Sequence, residues 1–295
     1  MKMHFGIMTA LITPLLEDGV TLNEKAYVEI IEDQLKNGVH SLLTMGGTGE
    51  SLTLPRETRK KAIELAVKTV NHRVPVIASV VELSVYDAIE SAKMVKEAGV
   101  DVLLLSNPYG GNTRLSGVID FFKMVDDAVD MPIIIYNFPG RTGYNVNPDI
   151  VGALLDAVPN ICGIKECAER YEQTMELIGR FGDRMAVLSG NEFLGPWELL
   201  CGADGAVVAT GNVMIKEIVK LYDIAKTGDI AKTSEYGLSL FPLMRALFKS
   251  PNPGPSKYGM ILRGFDAGKP TTPCVECEEP VKAEVKAEME KLGII

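Results

Sequence analysis

The residue that most constrains the chemistry of this chain is Lys165, which lies in the run Ile161-Cys162-Gly163-Ile164-Lys165-Glu166. A charged amine in so apolar a segment carries a desolvation penalty of several kcal/mol unless it is paired. Such a site lowers the lysine's pKa. Strand alternation places Ile161, Gly163 and Lys165 on one face and Glu166 on the other, so the adjacent carboxylate is not expected to re-protonate the amine as its ion pair. Gly163 would leave room for the lysine stem. A neutral amine in an apolar pocket is a Schiff-base nucleophile; the competing reading is a strand-end lysine that snorkels to water.

Three further groups have suitable types and places. Gly46-Gly47-Thr48-Gly49-Glu50-Ser51 lacks the lysine of a nucleotide-binding P-loop. Its backbone N–H groups and the Thr48 hydroxyl suit a carboxylate, although a tight strand-to-helix turn would also use these glycines. Tyr136 offers a phenol for proton transfer, and the turn Pro139-Gly140 brings Arg141 back with a bidentate fork for a substrate carboxylate, unless Arg141 pairs with a surface acid instead. His4, His40 and His72 fall at or before expected strand starts, which disfavours a histidine base or a histidine-ligated metal. The five cysteines suggest reduced thiols; Cys274 and Cys277 form a CxxC with no second pair and no later histidine, so no metal or other cofactor is expected.

These groups must be positioned by something. Short Val/Ile/Leu runs, too continuously apolar to be half-exposed, alternate with amphipathic segments: Phe5–Thr13, His40–Met45, Val74–Val81, Asp101–Ser106, Pro132–Asn137, Ile161–Glu166, Arg184–Ser189 and Gly205–Thr210. Helical segments are expected at Glu57–Val70, Ser84–Ala98 and Pro148–Ala157, with the eighth near Ile215–Thr227. Eight strand–helix units predict a (β/α)8 TIM barrel over residues 1–227. Residues 228–295 read as a C-terminal helical extension, with helical pattern over Ile230–Phe248, Ser256–Gly264 and Pro280–Leu292 interrupted by Ser250-Pro251-Asn252-Pro253-Gly254-Pro255. A doubly wound open sheet is the alternative, weakened by the lack of GxGxxG after the first strand. In a barrel the polar strand ends converge on one rim, where catalysis belongs.

Composition sets the outer limits. A chain of 295 residues buries about 75% of its unfolded surface and needs no disulfide or metal staple. With 46% hydrophobic and 23% charged residues it is a globular sequence rather than a disordered one. Thirty Lys+Arg against 39 Asp+Glu give a net charge of -9, a poor match to nucleic acid. No stretch approaches the 18 or so apolar residues of a membrane span, and the N-terminal Phe5–Ile12 run has no cleavage-type site, so a soluble, cytoplasmic protein is expected.

Taken as a set, GGTGES, YNFPGRTG, GIKE and the late NPGPSKYGM resemble the dihydrodipicolinate synthase and N-acetylneuraminate lyase family over nearly the full chain. The resemblance implies a (β/α)8 barrel with C-terminal helices, usually a homotetramer, forming a Schiff base with pyruvate or another small 2-oxo acid. It makes Lys165 the Schiff-base lysine, Tyr136 the proton shuttle, Thr48 with the backbone of Gly47 the carboxylate binder, and Val207 the donor of a carbonyl near the lysine. Arg141 matches the synthase arginine that recognises the carboxylate of aspartate semialdehyde, which leans the resemblance toward the synthase.

Three segments depart from the synthase pattern. Gly47 stands where the synthases carry a relay threonine, and Gly110 follows Pro108-Tyr109 where they carry a second tyrosine that completes the relay in a neighbouring subunit. Ser79-Val80-Val81-Glu82-Leu83 replaces the usual Gly-Thr-Gly-Ser-Asn, which argues against lysine feedback. The Gly-Gly-Thr-Gly-Glu form is similar to members that dehydrate deoxy sugar acids. The expectation is a synthase-like lyase slow with aspartate semialdehyde, with added room for a bulkier partner and water in place of the relay. The alternatives are a 2-keto-3-deoxy sugar-acid aldolase or dehydratase and, from a different class, a non-catalytic 2-oxo acid binder.

Overall fold

The computed structural model describes residues 2–109 and 113–295. Gly110, on which one of those expectations rests, lies outside them. Eight parallel strands close into a barrel in chain order, each hydrogen-bonded to its sequence neighbour and β8 to β1. They are β1 Gly6–Ala10, β2 Ser41–Thr44, β3 Val76–Val80, β4 Val102–Ser106, β5 Ile133–Asn137, β6 Ile161–Glu166, β7 Ala186–Ser189 and β8 Gly205–Val208. Nearly every strand residue is buried, as strands sandwiched between a packed interior and a helical coat must be.

The coat consists of α1 Glu24–Lys36, α2 Arg56–Val70, α3 Val85–Glu97, α4 Leu115–Val129, the one-turn α5 Pro139–Thr142, α6 Pro148–Ala157, α7 Tyr171–Phe181, α8 Gly195–Leu200 and α9 Gly211–Lys226. Local sequence sets several of their starts. The side chains of Asn23, Ser84 and Asn147 accept from the amides of Ala26, Tyr86 and Ile150, satisfying first-turn donors that would otherwise be orphaned. Alternate strand residues such as Met8, Leu43, Ile77, Leu104, Ile134 and Leu188 fill the barrel, while Ile7, Leu42, Leu103, Ile133 and Val187 face the helices.

Three further helices, α10 Ile230–Leu247, α11 Gly254–Leu262 and α12 Glu279–Lys291, form the C-terminal extension. Arg263, just past α11, makes a bidentate pair with Asp33 of α1 at 2.8 and 2.9 Å. Helix α11 begins two residues before the expected Ser256, because Pro255 falls in its first turn, where a missing N–H is no loss.

Strand limits are shorter than expected where buried polar groups divert the backbone. After β1, the Ile12 amide donates to Asn212 Oδ1 (3.0 Å) and the Thr13 hydroxyl to the Gly49 carbonyl (2.8 Å). Before β7, the amides of Arg184 and Met185 return to the Phe181 carbonyl. The uniform alternation expected for β6 is also corrected. Its register against β5 slips, pairing Ile133 with Ile161 but Ile134 with Gly163, so Ile161 faces the helices while Cys162 faces the interior. The space beside Gly163 belongs to neighbouring strands rather than to the lysine stem: a Cβ there would lie 3.0 Å from the Ala186 carbonyl and 3.4 Å from Ala186 Cβ.

Candidate active site

A cavity of about 540 Å³ opens at the C-terminal ends of the strands. Lys165, Tyr136, Thr48, Gly47, Arg141 and Val207 all line it. Tyr136 and Lys165 end β5 and β6 and sit opposite each other in the register, with Lys165 Nζ 4.8 Å from the centroid of the phenol ring. Burial pulls the Lys165 pKa below that of a free amine; the Cys167 sulfur opposes this and the Arg141 cation adds to it. Burial pushes the Tyr136 phenol far above its ordinary range, so it is a protonated acid throughout the neutral region.

The reverse face of these two strands explains why they hold their geometry. Asn137 and Glu166 pair directly behind them, and Asn137 Nδ2 donates to both Glu166 carboxylate oxygens at 3.0 and 2.9 Å. The Ala168 amide and Gln173 Nε2 donate to the same carboxylate at 2.6 and 2.9 Å. Glu166 is thereby fully committed away from Lys165, which keeps the amine without a carboxylate partner on its own strand.

The turn after β2 is bracketed by two left-handed residues, Met45 (φ 53°) and Glu50 (φ 61°), conformations that non-glycine residues hold only when the surroundings compel them. For Glu50 the holding contact comes from the C-terminal extension. Lys257 Nζ lies 2.7 Å from Glu50 Oε1, both side chains essentially without solvent, and the Thr271 amide donates to Glu50 Oε2 at 2.6 Å. Asn252 Nδ2 also donates to Thr48 Oγ1 at 2.8 Å. Within the turn the Glu50 and Ser51 amides bond back to Gly47 and Gly46, and among the described residues no backbone carbonyl takes up the amides of Gly47 or Thr48.

Gly47 does not leave the expected open space. The Arg141 guanidinium lies against it, with Nη1 2.2 Å from where a Cβ would stand. Tyr109 is half-buried against the interior packing of the barrel, and Tyr144 packs on the outer side, its carbonyl accepting from Asn107. Neither lines the cavity.

Several lining residues had no role assigned from sequence. Glu192 follows β7 and accepts from the Ala209 amide and the Thr210 hydroxyl. Burial raises its carboxyl above the usual range. Cys167 lies two residues beyond Lys165, its thiol pushed up to about 11 by burial. Phe248 through Asn252 of the extension form one wall. Strand-end position is the local signal for Glu192; nothing local announced that the tail would reach the rim.

Comparison with known proteins identifies the family. The model of the dihydrodipicolinate synthetase family matches residues 3–292. The chain belongs to that family. Within it, the chain is 35% identical over 293 residues to the 4-hydroxy-tetrahydrodipicolinate synthase of Geotalea uraniireducens, covering 99% of this chain and all of the relative. The dihydrodipicolinate synthase of Acinetobacter baumannii, solved with pyruvate, superposes with a TM-score of 0.94 at 30% identity, covering 99% of this chain and 100% of that one. YagE, a prophage protein of this family from E. coli K12, also solved with pyruvate, superposes at 0.91 with 29% identity and 99% coverage of each chain. The family fold is thus the (β/α)8 barrel seen here, with helices beyond it.

Proposed function

We propose that the protein is a Schiff-base lyase that condenses pyruvate with an aldehyde, as a 4-hydroxy-tetrahydrodipicolinate synthase does. The observation that carries this reading is the pairing of a depressed Lys165 amine with the Tyr136 phenol across β5 and β6, beside the Thr48 turn. Neutral Lys165 attacks the pyruvate carbonyl carbon, the adduct loses water, and the resulting imine gives up a methyl proton to become an enamine. The enamine carbon attacks the aldehyde, and hydrolysis returns the free lysine. Tyr136 shuttles the protons, the Thr48 turn holds the pyruvate carboxylate, and Val207 offers its carbonyl near the amine.

Gly47 favours a second reading inside the same class, cleavage or dehydration of 2-keto-3-deoxy sugar acids, because no hydroxyl stands there to pass a proton to Tyr136. Steady-state kinetics with pyruvate plus aspartate semialdehyde, beside a panel of 2-keto-3-deoxy acids, separates them. Synthase turnover of about 1–10³ per second supports the first reading. Slow condensation with rapid turnover of a sugar acid supports the second.

The working protein is proposed as a cytoplasmic homotetramer, in which residues 1–227 form the catalytic barrel and 228–295 the helical region that walls its mouth. Leu83 and Tyr86, 81% and 72% exposed after β3, are apolar surface that subunit contact would cover. Among the described residues no helix is long and apolar enough to cross a membrane. Sedimentation velocity on the purified chain tests the assembly.

A further inference from the structure

Gly47 has no need of glycine's conformational freedom, since its φ lies outside the left-handed region. What the missing side chain permits is an approach. A Cβ at this position would stand 2.2 Å from Arg141 Nη1, 3.0 Å from Cζ and 3.2 Å from Nη2, separations no alanine could tolerate without moving the guanidinium. The arginine head therefore rests on the backbone of the turn, one residue from Thr48, and its Cζ lies 5.2 Å from the centroid of the Phe138 ring. Among the described residues no carboxylate lies within ion-pair distance of it, unlike the arginines at 59, 73, 170, 180, 184 and 263. It is a cation without an acidic partner, at the mouth of a cavity, lying on the anion-binding turn.

We propose that Arg141 binds the carboxylate of the 2-oxo acid itself, together with the Thr48 turn, and that Gly47 is the residue that admits it there. This rests on the Schiff-base reading above, and it moves Arg141 from the second substrate to the first. The position is also near enough to the reacting groups for the guanidinium to oppose protonation of Lys165 and to favour ionisation of Tyr136. A cation that both fixes the carboxylate and keeps the neighbouring amine neutral serves imine formation twice over.

The test is the pyruvate concentration that half-saturates borohydride trapping on Lys165, measured with no aldehyde present. Arg141→Ala is expected to raise it about 10- to 100-fold, as loss of one charge-assisted contact does. Gly47→Ala is expected to raise it in the same direction, because the clashing group is the far end of a flexible side chain and the fold can keep its shape while the guanidinium is displaced. The double variant should be no worse than Arg141→Ala alone, since both changes remove one contact. The half-saturating concentration of methyl pyruvate, which has no carboxylate charge, should rise far less in all three, by no more than the loss of Arg141's effect on the Lys165 amine allows. An unchanged half-saturation for pyruvate in Arg141→Ala, with weakening confined to the aldehyde partner, overturns the inference and leaves the lyase reading standing. Failure of the unaltered protein to trap pyruvate overturns the lyase reading beneath it.

Discussion

Lys165 and Tyr136 occupy partnered positions on adjacent strands, with the amine 4.8 Å from the centre of the phenol ring. Backbone hydrogen bonding, rather than a flexible loop, sets the spacing between the proposed nucleophile and the proposed proton shuttle. The Asn137–Glu166 contact immediately beyond them resists any slip of that register.

Tyr136→Phe should therefore leave the lysine in place and permit imine formation in part, while lowering turnover about 10²–10⁴-fold, the usual contribution of one positioned acid–base group. Single-turnover trapping measured beside steady-state kcat checks this split. Near-normal kcat would show that another group moves the proton.

The lowered Lys165 pKa has a thermodynamic signature. Between that lowered value and the 10.5 of a free lysine, the folded chain binds fewer protons at this site than the unfolded chain, so the site's contribution to stability rises with pH across the window. Lys165→Met abolishes this dependence. The variant should be inactive yet more stable than the parent at pH 7, by about 1.4 kcal/mol for each unit of lowering, and the gap should narrow as the pH approaches 10. Paired thermal melts across that range measure it. A Met variant no more stable than the parent at pH 7 would contradict a neutral, desolvated lysine.

The Glu50–Lys257 pair links the tail to the turn proposed to bind the substrate carboxylate. Lys257→Ala leaves a carboxylate buried without its partner and should destabilise the protein by about 3–5 kcal/mol, whereas Glu50→Gln with Lys257→Met should recover much of that loss. If the pair also holds the turn in shape, the double variant keeps the fold but shows a raised KM for the 2-oxo acid with little change in kcat. Denaturant melts and kinetics on the same preparations distinguish the two effects.

Much of this arrangement was legible in sequence because its causes are local. A lysine closing an apolar strand and eight buried Val/Ile/Leu runs alternating with capped helices are patterns within a dozen residues. What escaped was set by distant contacts. The slip of register at Cys162 depends on how β6 meets β5. The room beside Gly47 is taken by Arg141, 94 positions away in the chain by their numbers (141 minus 47), and the turn's strained Glu50 is held by Lys257 from the far end of the chain. Period and composition carry no information about such pairings; only the closed barrel and its tail bring them together.

Lys165 is proposed as the residue that bonds covalently to a 2-oxo acid. Incubation with pyruvate and borohydride, followed by intact-mass analysis and peptide mapping, tests it most directly. A single reduced pyruvyl group is expected on Lys165, absent from Lys165→Arg. An adduct on another lysine, or none with any 2-oxo acid, would contradict it.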